Sequence, residues 1–584
     1  MRRSKKLGAP ERQHMKRLVS LILILCVLFG VIGCKHGEGN CVEHHTALSF
    51  SELTDSGTDA ALELARAKEM LFRIERGELT GSHAQETLDA RTEAYRKLET
   101  DAALAYVRYC TDVTNEANKM AYDTLSLQTG ALACVLVDAA LLLAGDPTLS
   151  DRYDTETVEA LKAEDALSDP SILPLLEQER ALVGAYEALS DTLRVERDGK
   201  SYTGDEILSD RALSPEAFDA LYEAYLDLFN REAGAIYLEL IRIRREIGET
   251  LGYGSYAEYR YACFGRDYTP EDAALLSEPV RETLVPVFLN VRQDFYGAAG
   301  QLYGAVFEQA PTMERIGAAV KSVLPELSEP WDYMISHGMY DCGSDFKRMP
   351  GSFTTYFAAY GAPFLFSAWT GGFETIPTVI HEYGHFAAFY MNGSGSAGAL
   401  DLAEIDAQGL ELLTVLRYDT LYGELSEAAE TAELFYALYT LIDGCVEDAF
   451  QQFAYAQTEP TLDALNAEYG RLCAEYGLDV LGMEGRSWTQ IPHTFQSPFY
   501  YISYATSMTA ALELYLMGKS DPDAASEAYR KVLLRPDGSQ FRKLTESAGL
   551  DDPFEPEIFA KTARELDHIR SYGGANSFNG ERQS

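Results

Sequence analysis

From about Leu53 to residue 572 the apolar positions recur at the three-to-four-residue spacing of helices, with few interruptions. Residues 58–75 and 84–122 are long amphipathic stretches rich in Ala, Leu, Glu and Arg. Residues 126–144 are apolar round most of the circumference, and 151–168 and 173–196 continue the series. Lys200 to Gly204 reads as a turn and marks a boundary. Helices resume over 215–250, 270–280, 283–308 and 312–327, then over 399–419, 424–457, 459–476, 499–518, 522–534 and 555–572. An irregular stretch spans 477–498. The segment 338–372 breaks the pattern. Glycines and prolines there separate short aromatic and β-branched runs such as Ser352 to Phe357, which predicts a small antiparallel sheet. The reading is a mainly α protein with one small β-sheet next to an apolar helix near residue 380.

The chain's start follows a different pattern. Residues 1–17 hold seven Lys/Arg and one acid, and Leu18 to Gly33 is almost wholly apolar. Cys34 follows. Val31-Ile32-Gly33-Cys34 resembles a bacterial lipobox, so 1–34 is read as a lipoprotein signal peptide ending at a lipidated Cys34. An uncleaved membrane anchor is the rival reading, and a shorter signal starting at Met15 would also be complete. Residues 35–50 are then a tether, 51–204 an N-terminal helical region, 205–574 a catalytic region and 575–584 a disordered tail.

The formal charge is −42, which argues against a nucleic-acid partner. Without 1–34 it becomes −48. Nine cysteines are scattered without a C-x-x-C pair, and most sit in apolar helical patterns. They read as small buried hydrophobes, not as a disulfide framework.

The chemistry is concentrated in His381-Glu382-Tyr383-Gly384-His385. Positions i and i+4 share a helix face, so both imidazoles can hold one Zn²⁺ while Glu382 sits beside its open position. Ile376, Val379, Ile380, Phe386 and Phe389 flank the motif, which points to a buried helix whose polar groups need partners. Gly384 costs helix stability and so suggests a closely approaching backbone. A catalytic site needs a third protein ligand. A third histidine at position 391 is excluded, because that residue is Met391. Downstream, Asp401, Glu404, Gln408 and Glu411 form one stripe of a helix. Spacing alone leaves open whether that stripe faces a metal or solvent. Glu404 is the chosen ligand, with Glu411 or Asp406 as acceptors for the imidazole N–H groups.

Several separated pieces then resemble the thimet oligopeptidase/oligoendopeptidase F family of zinc metallopeptidases. They are Thr378 to His385, Ala403 to Glu411, Ile491-Pro492-His493, and Ser497 to Thr506. Weaker matches are Gly252-Tyr253 through Arg266-Asp267-Tyr268-Thr269 and Lys347 to Phe364. A short loop after the metal helix, and Gln496-Ser497-Pro498 before the paired tyrosines, point to the bacterial oligoendopeptidase F branch. The resemblance implies a large multi-helical, two-lobed body enclosing a deep channel for short peptides. It implies one Zn²⁺ per chain on His381, His385 and Glu404, with Glu382 as general base. It also implies substrate and oxyanion roles for Tyr504, Tyr501 and His493.

The expected activity is metal-dependent hydrolysis of short peptides by a protein tethered to the bacterial cell membrane and facing outside the cytoplasm. A lipobox is unusual in a family associated with the cytoplasm, which puts the usual peptide-recycling role in doubt. A non-catalytic peptide-binding lipoprotein and a zinc exopeptidase are the rival functions. A purely structural zinc site would be closed by four ligands, usually including Cys, and no Cys lies near 381–404.

Overall fold

The computed structural model describes residues 45–580 except 154–157, 159–160, 163–170, 394–399 and 537, with side chains described to Arg570. The signal peptide, Cys34, Met15, most of the tether and most of the 392–398 loop therefore lie outside the described residues.

Three helices open the described chain: α1 (Ala60–Glu75), α2 (Gly81–Thr111) and α3 (Glu116–Ala144). They bury Ala67, Met70, Leu88, Tyr95, Leu132, Leu136 and Leu143 in a small core of their own. The amphipathic stretch expected over 84–122 is split at Asp112–Asn115. The Asn115 side chain accepts hydrogen bonds from the Ala117 and Asn118 amides and so starts a new helix. By length and composition α3 could cross a membrane, although half of its apolar window is buried inside the protein.

The main core begins earlier than the expected boundary near 204. Helix α4 (Leu173–Glu187) and the hairpin β1 (Val195–Arg197)–β2 (Lys200–Tyr202) already belong to it, through Leu175, Tyr186, Val195 and Tyr202. The Tyr186 ring stacks on Phe495 at 3.7 Å, and its hydroxyl donates to the Thr489 carbonyl. The long α5 (Pro215–Thr250) and α6 (Val285–Leu302) extend this body.

The predicted sheet is present but mixed. Strands β3 (Tyr340–Asp341), β4 (Ser352–Phe357) and β5 (Ala362–Ser367) lie in the order β3-β5-β4. β4 and β5 form the expected antiparallel hairpin, whereas β3 pairs with β5 in parallel. The residues between β3 and β4 return the chain to the far edge of β5. That makes β5 the central strand, which is why Ala362 to Ser367 are all buried.

Residues 45–50, assigned to the tether, are instead docked on this sheet region. The Thr46 amide donates to the Tyr360 carbonyl, the Phe50 amide donates to the His337 carbonyl, and the Phe50 ring lies 4.2 Å from Phe364.

After the sheet come α7 (Thr375–Asn392), α8 (Leu400–Thr414), α9 (Ser426–Ala456), α10 (Ile502–Ser520) and α11 (Glu557–Gly580). Helix α11 runs into the stretch expected to be a disordered tail. Extending a helix already docked through Ile558, Phe559 and Leu566 needs no new nucleus.

Candidate active site

Helices α7 and α8 cross in contact. A Cβ built on Gly384 would lie 2.6 Å from the Ala407 Cα, so only glycine allows the crossing at this distance. The close approach expected from the sequence is therefore made by α8. Because of it, the α8 stripe turns inward: Asp401, Glu404 and Gln408 are all buried.

His381, His385 and Glu404 converge, each offering one ligand atom within 4.8 Å of the others. The His381 and His385 rings are 5.1 Å apart, and His381 Nε2 is 3.9 Å from Glu404 Oε2. Glu404 is fully buried, and its Oε2 has no hydrogen-bond partner. A buried carboxylate oxygen facing an imidazole nitrogen without a proton donor is costly unless a cation sits between them. Two imidazoles and one carboxylate are also the donor set of catalytic zinc. The residues present therefore fit the metal.

Of the two acceptors considered for the imidazoles, Glu411 takes the role: its Oε2 lies 3.1 Å from His381 Nδ1. Asp406 does not. Its carboxylate accepts from Arg535 Nη1 at 2.7 Å, because its place on α8 turns it toward that buried guanidinium. Behind Glu411, α9 supplies Glu433, a buried carboxyl that accepts from the Tyr418 hydroxyl. Burial, with Glu411 next to it, pushes Glu433 well above the usual carboxylate range.

Glu382 is buried beneath the sheet. The Thr354 hydroxyl on β4 lies 2.9 Å from its Oε2 and 2.8 Å from its main-chain oxygen. Burial raises the Glu382 carboxyl to about 7, against the opposing pull of His381 and the Thr354 bond. Burial also drives His385 well below its ordinary value and lifts Glu404 above the usual range.

The remaining expected residues come from a segment around 493–504. His493 is buried with neither ring nitrogen hydrogen-bonded, and burial lowers it to about 4, so its ring is neutral. Its ring centroid is 5.2 Å from Tyr500, 5.1 Å from Tyr501 and 6.4 Å from Tyr504. Tyr504 is partly exposed and has Glu404 and Glu382 among its charged neighbours. The charged groups around Tyr501 are instead Asp443 and Glu447 of α9.

Tyr500, not among the residues expected from the sequence, donates its hydroxyl to Glu404 Oε1 at 3.2 Å. The helix expected from 499 places Tyr501 and Tyr504 on one face, and their rings do meet, with centroids 5.3 Å apart. The helix itself starts at Ile502, and Phe499, expected to lie inside it, adopts φ +64° instead. This left-handed residue is held from both sides. Its amide donates to Gln451 Oε1 at 2.6 Å, and its carbonyl accepts from Arg266 Nη2 at 2.7 Å. Arg266 also reaches Asp401 at 3.7 Å, and Asp401 accepts from the Tyr268 hydroxyl at 2.7 Å. The weakly matching stretch at 266–269 thus ties α8 to the tyrosine segment.

The mainly helical architecture is shared by solved structures. A structure described as an oligoendopeptidase F superposes with TM-score 0.73 at 22% identity, covering 90% of this chain and 98% of that one. PZ peptidase A with an inhibitor gives 0.72 at 21%, covering 89% and 98%. An oligoendopeptidase F from Bacillus anthracis gives 0.71 at 20%, covering 90% and 98%. No family model and no curated protein sequence matches the chain. The fold is that of the oligoendopeptidase F structures.

Proposed function

We propose that this chain is an oligoendopeptidase F-type zinc peptidase that cuts short peptides internally. The observation that carries the reading is the convergence of His381, His385 and the partnerless Glu404 Oε2, with Glu382 beside them. Zinc bound by those three side chains would polarise the scissile carbonyl and acidify the attacking water. Glu382 takes the water proton and returns it to the leaving amine, and its raised affinity for protons suits that double role. Tyr504, with neutral His493, donates hydrogen bonds to the negative charge that develops on the substrate carbonyl oxygen. Tyr500 keeps Glu404 in place, and Glu411 fixes the His381 ring. An enclosed channel would set the upper limit on peptide length. The apolar run ending at Cys34 supports a lipid-anchored protein working outside the cytoplasm.

Mass spectrometry of a mixed peptide library, with and without chelator, tests the reading. Internal cuts that chelator abolishes and added zinc restores are expected. Peptides bound but never cut would favour the non-catalytic lipoprotein, and removal of single terminal residues would favour an exopeptidase.

A further inference from the structure

Glu382 needs more than proximity to act as a base. A carboxylate on a flexible side chain must be held in one orientation, and the groups that hold it must tolerate it with and without the transferred proton. On α7 itself Val379 and Phe386, one turn to either side, are apolar and buried, and the Thr378 hydroxyl is turned to the Glu374 carbonyl. The holding group comes from the sheet. Thr354 lies in β4, paired with Leu365 of β5, and its side chain is buried. Its hydroxyl stands between two acceptors of one residue, Glu382 Oε2 at 2.9 Å and the Glu382 main-chain oxygen at 2.8 Å.

A hydroxyl has one proton to donate and two lone pairs with which to accept. Directed at Oε2, the Thr354 hydroxyl donates to the carboxylate. Oε1 is then the oxygen free to take and return the proton, and Oε2 stays an acceptor for the Thr354 hydroxyl in both states. The Thr354 hydroxyl therefore keeps its bond with and without the transferred proton and incurs no cost of an unmade bond. No heavy atom has to move.

We propose that Thr354 is the positioning residue of the general base, a buried hydroxyl whose two acceptors on Glu382 let it hold that side chain throughout the proton-transfer cycle. The role rests on the peptidase reading above, while the contact itself does not.

The test uses Thr354→Val, which keeps the shape and removes the hydroxyl, and Thr354→Ser, which keeps the hydroxyl. T354V is expected to lower kcat about tenfold with KM nearly unchanged and with wild-type zinc content, and T354S to recover most of the loss. A T354V enzyme at wild-type kcat would overturn the proposal. So would a T354S enzyme as impaired as T354V, which would reduce the residue to packing. A second readout needs no activity. In the metal-free protein T354V should lower Tm by a few degrees, and by clearly less when Glu382 has already been replaced by Ala. Equal shifts in the two backgrounds would overturn the contact. If the wild-type protein itself cuts no peptide, the peptidase reading fails, and the thermal cycle still reports on Thr354 and Glu382.

Discussion

Gly384 of α7 and Ala407 of α8 meet so closely that a methyl group on Gly384 would sit 2.6 Å from the Ala407 Cα. The obstruction is backbone, which cannot rotate away. Replacing Gly384 by Ala adds helix propensity worth about 1 kcal/mol. The expected net effect is nevertheless destabilising by roughly 1–3 kcal/mol, from overpacking. Because the same crossing brings Glu404 to the two histidines, zinc affinity should fall as well. Thermal melts with and without zinc check both effects. A G384A protein as stable and as tightly metallated as wild type would contradict the crossing.

The Tyr500 hydroxyl donates a hydrogen bond to Glu404 Oε1. Tyr500→Phe should weaken zinc binding by roughly tenfold, the lower end of what such supporting contacts contribute. Competition with a chromogenic chelator measures it. Glu411→Gln should fall in the same range, since it loosens the His381 ring.

Glu382 and Glu404 should separate cleanly. Glu382→Gln is expected to keep near one zinc per chain and to lose about 10²–10⁴-fold in kcat, the usual contribution of a general base. Glu404→Ala should lose the metal and the activity together. Zinc analysis beside peptide turnover distinguishes them, and E382Q cutting at the wild-type rate would remove the mechanism.

The metal-free protein should lose stability as pH rises through the weakly acidic range. Burial lifts both Glu382 and Glu411 from 4.5 to about 7, so between those values the folded chain holds protons that the unfolded chain has released. Stability from these protonated carboxyls is complete below 4.5 and is lost as pH rises through about 7. Urea midpoints at pH 5, 6 and 7 in chelator should therefore decline, and E382Q should flatten the decline by removing one of the contributing carboxyls. A decline as steep in E382Q as in the wild-type protein would contradict the burial of Glu382.

What the sequence by itself determined was local. Helix periodicity announced a mainly α chain, and the i, i+4 spacing put His381 and His385 on one face. Gly384 disclosed a closely approaching backbone, because a glycine inside an apolar helix has few other uses. The stripe from Asp401 to Glu411 could be read as a ligand helix, but not which way it faced; its contact with α7 decided that. Asp406 and Glu411 looked equivalent as partners for histidine until Arg535, more than a hundred residues later, claimed Asp406. Tyr500 was illegible for a related reason. Its direction depends on the left-handed backbone of Phe499, which Gln451 and Arg266 impose from 48 and 233 residues away. The parallel β3 and the hydroxyl of Thr354 over Glu382 belong with these. Patterns repeat along a chain and can be read there, whereas the partner of a buried polar group is chosen only when distant segments pack and water is excluded.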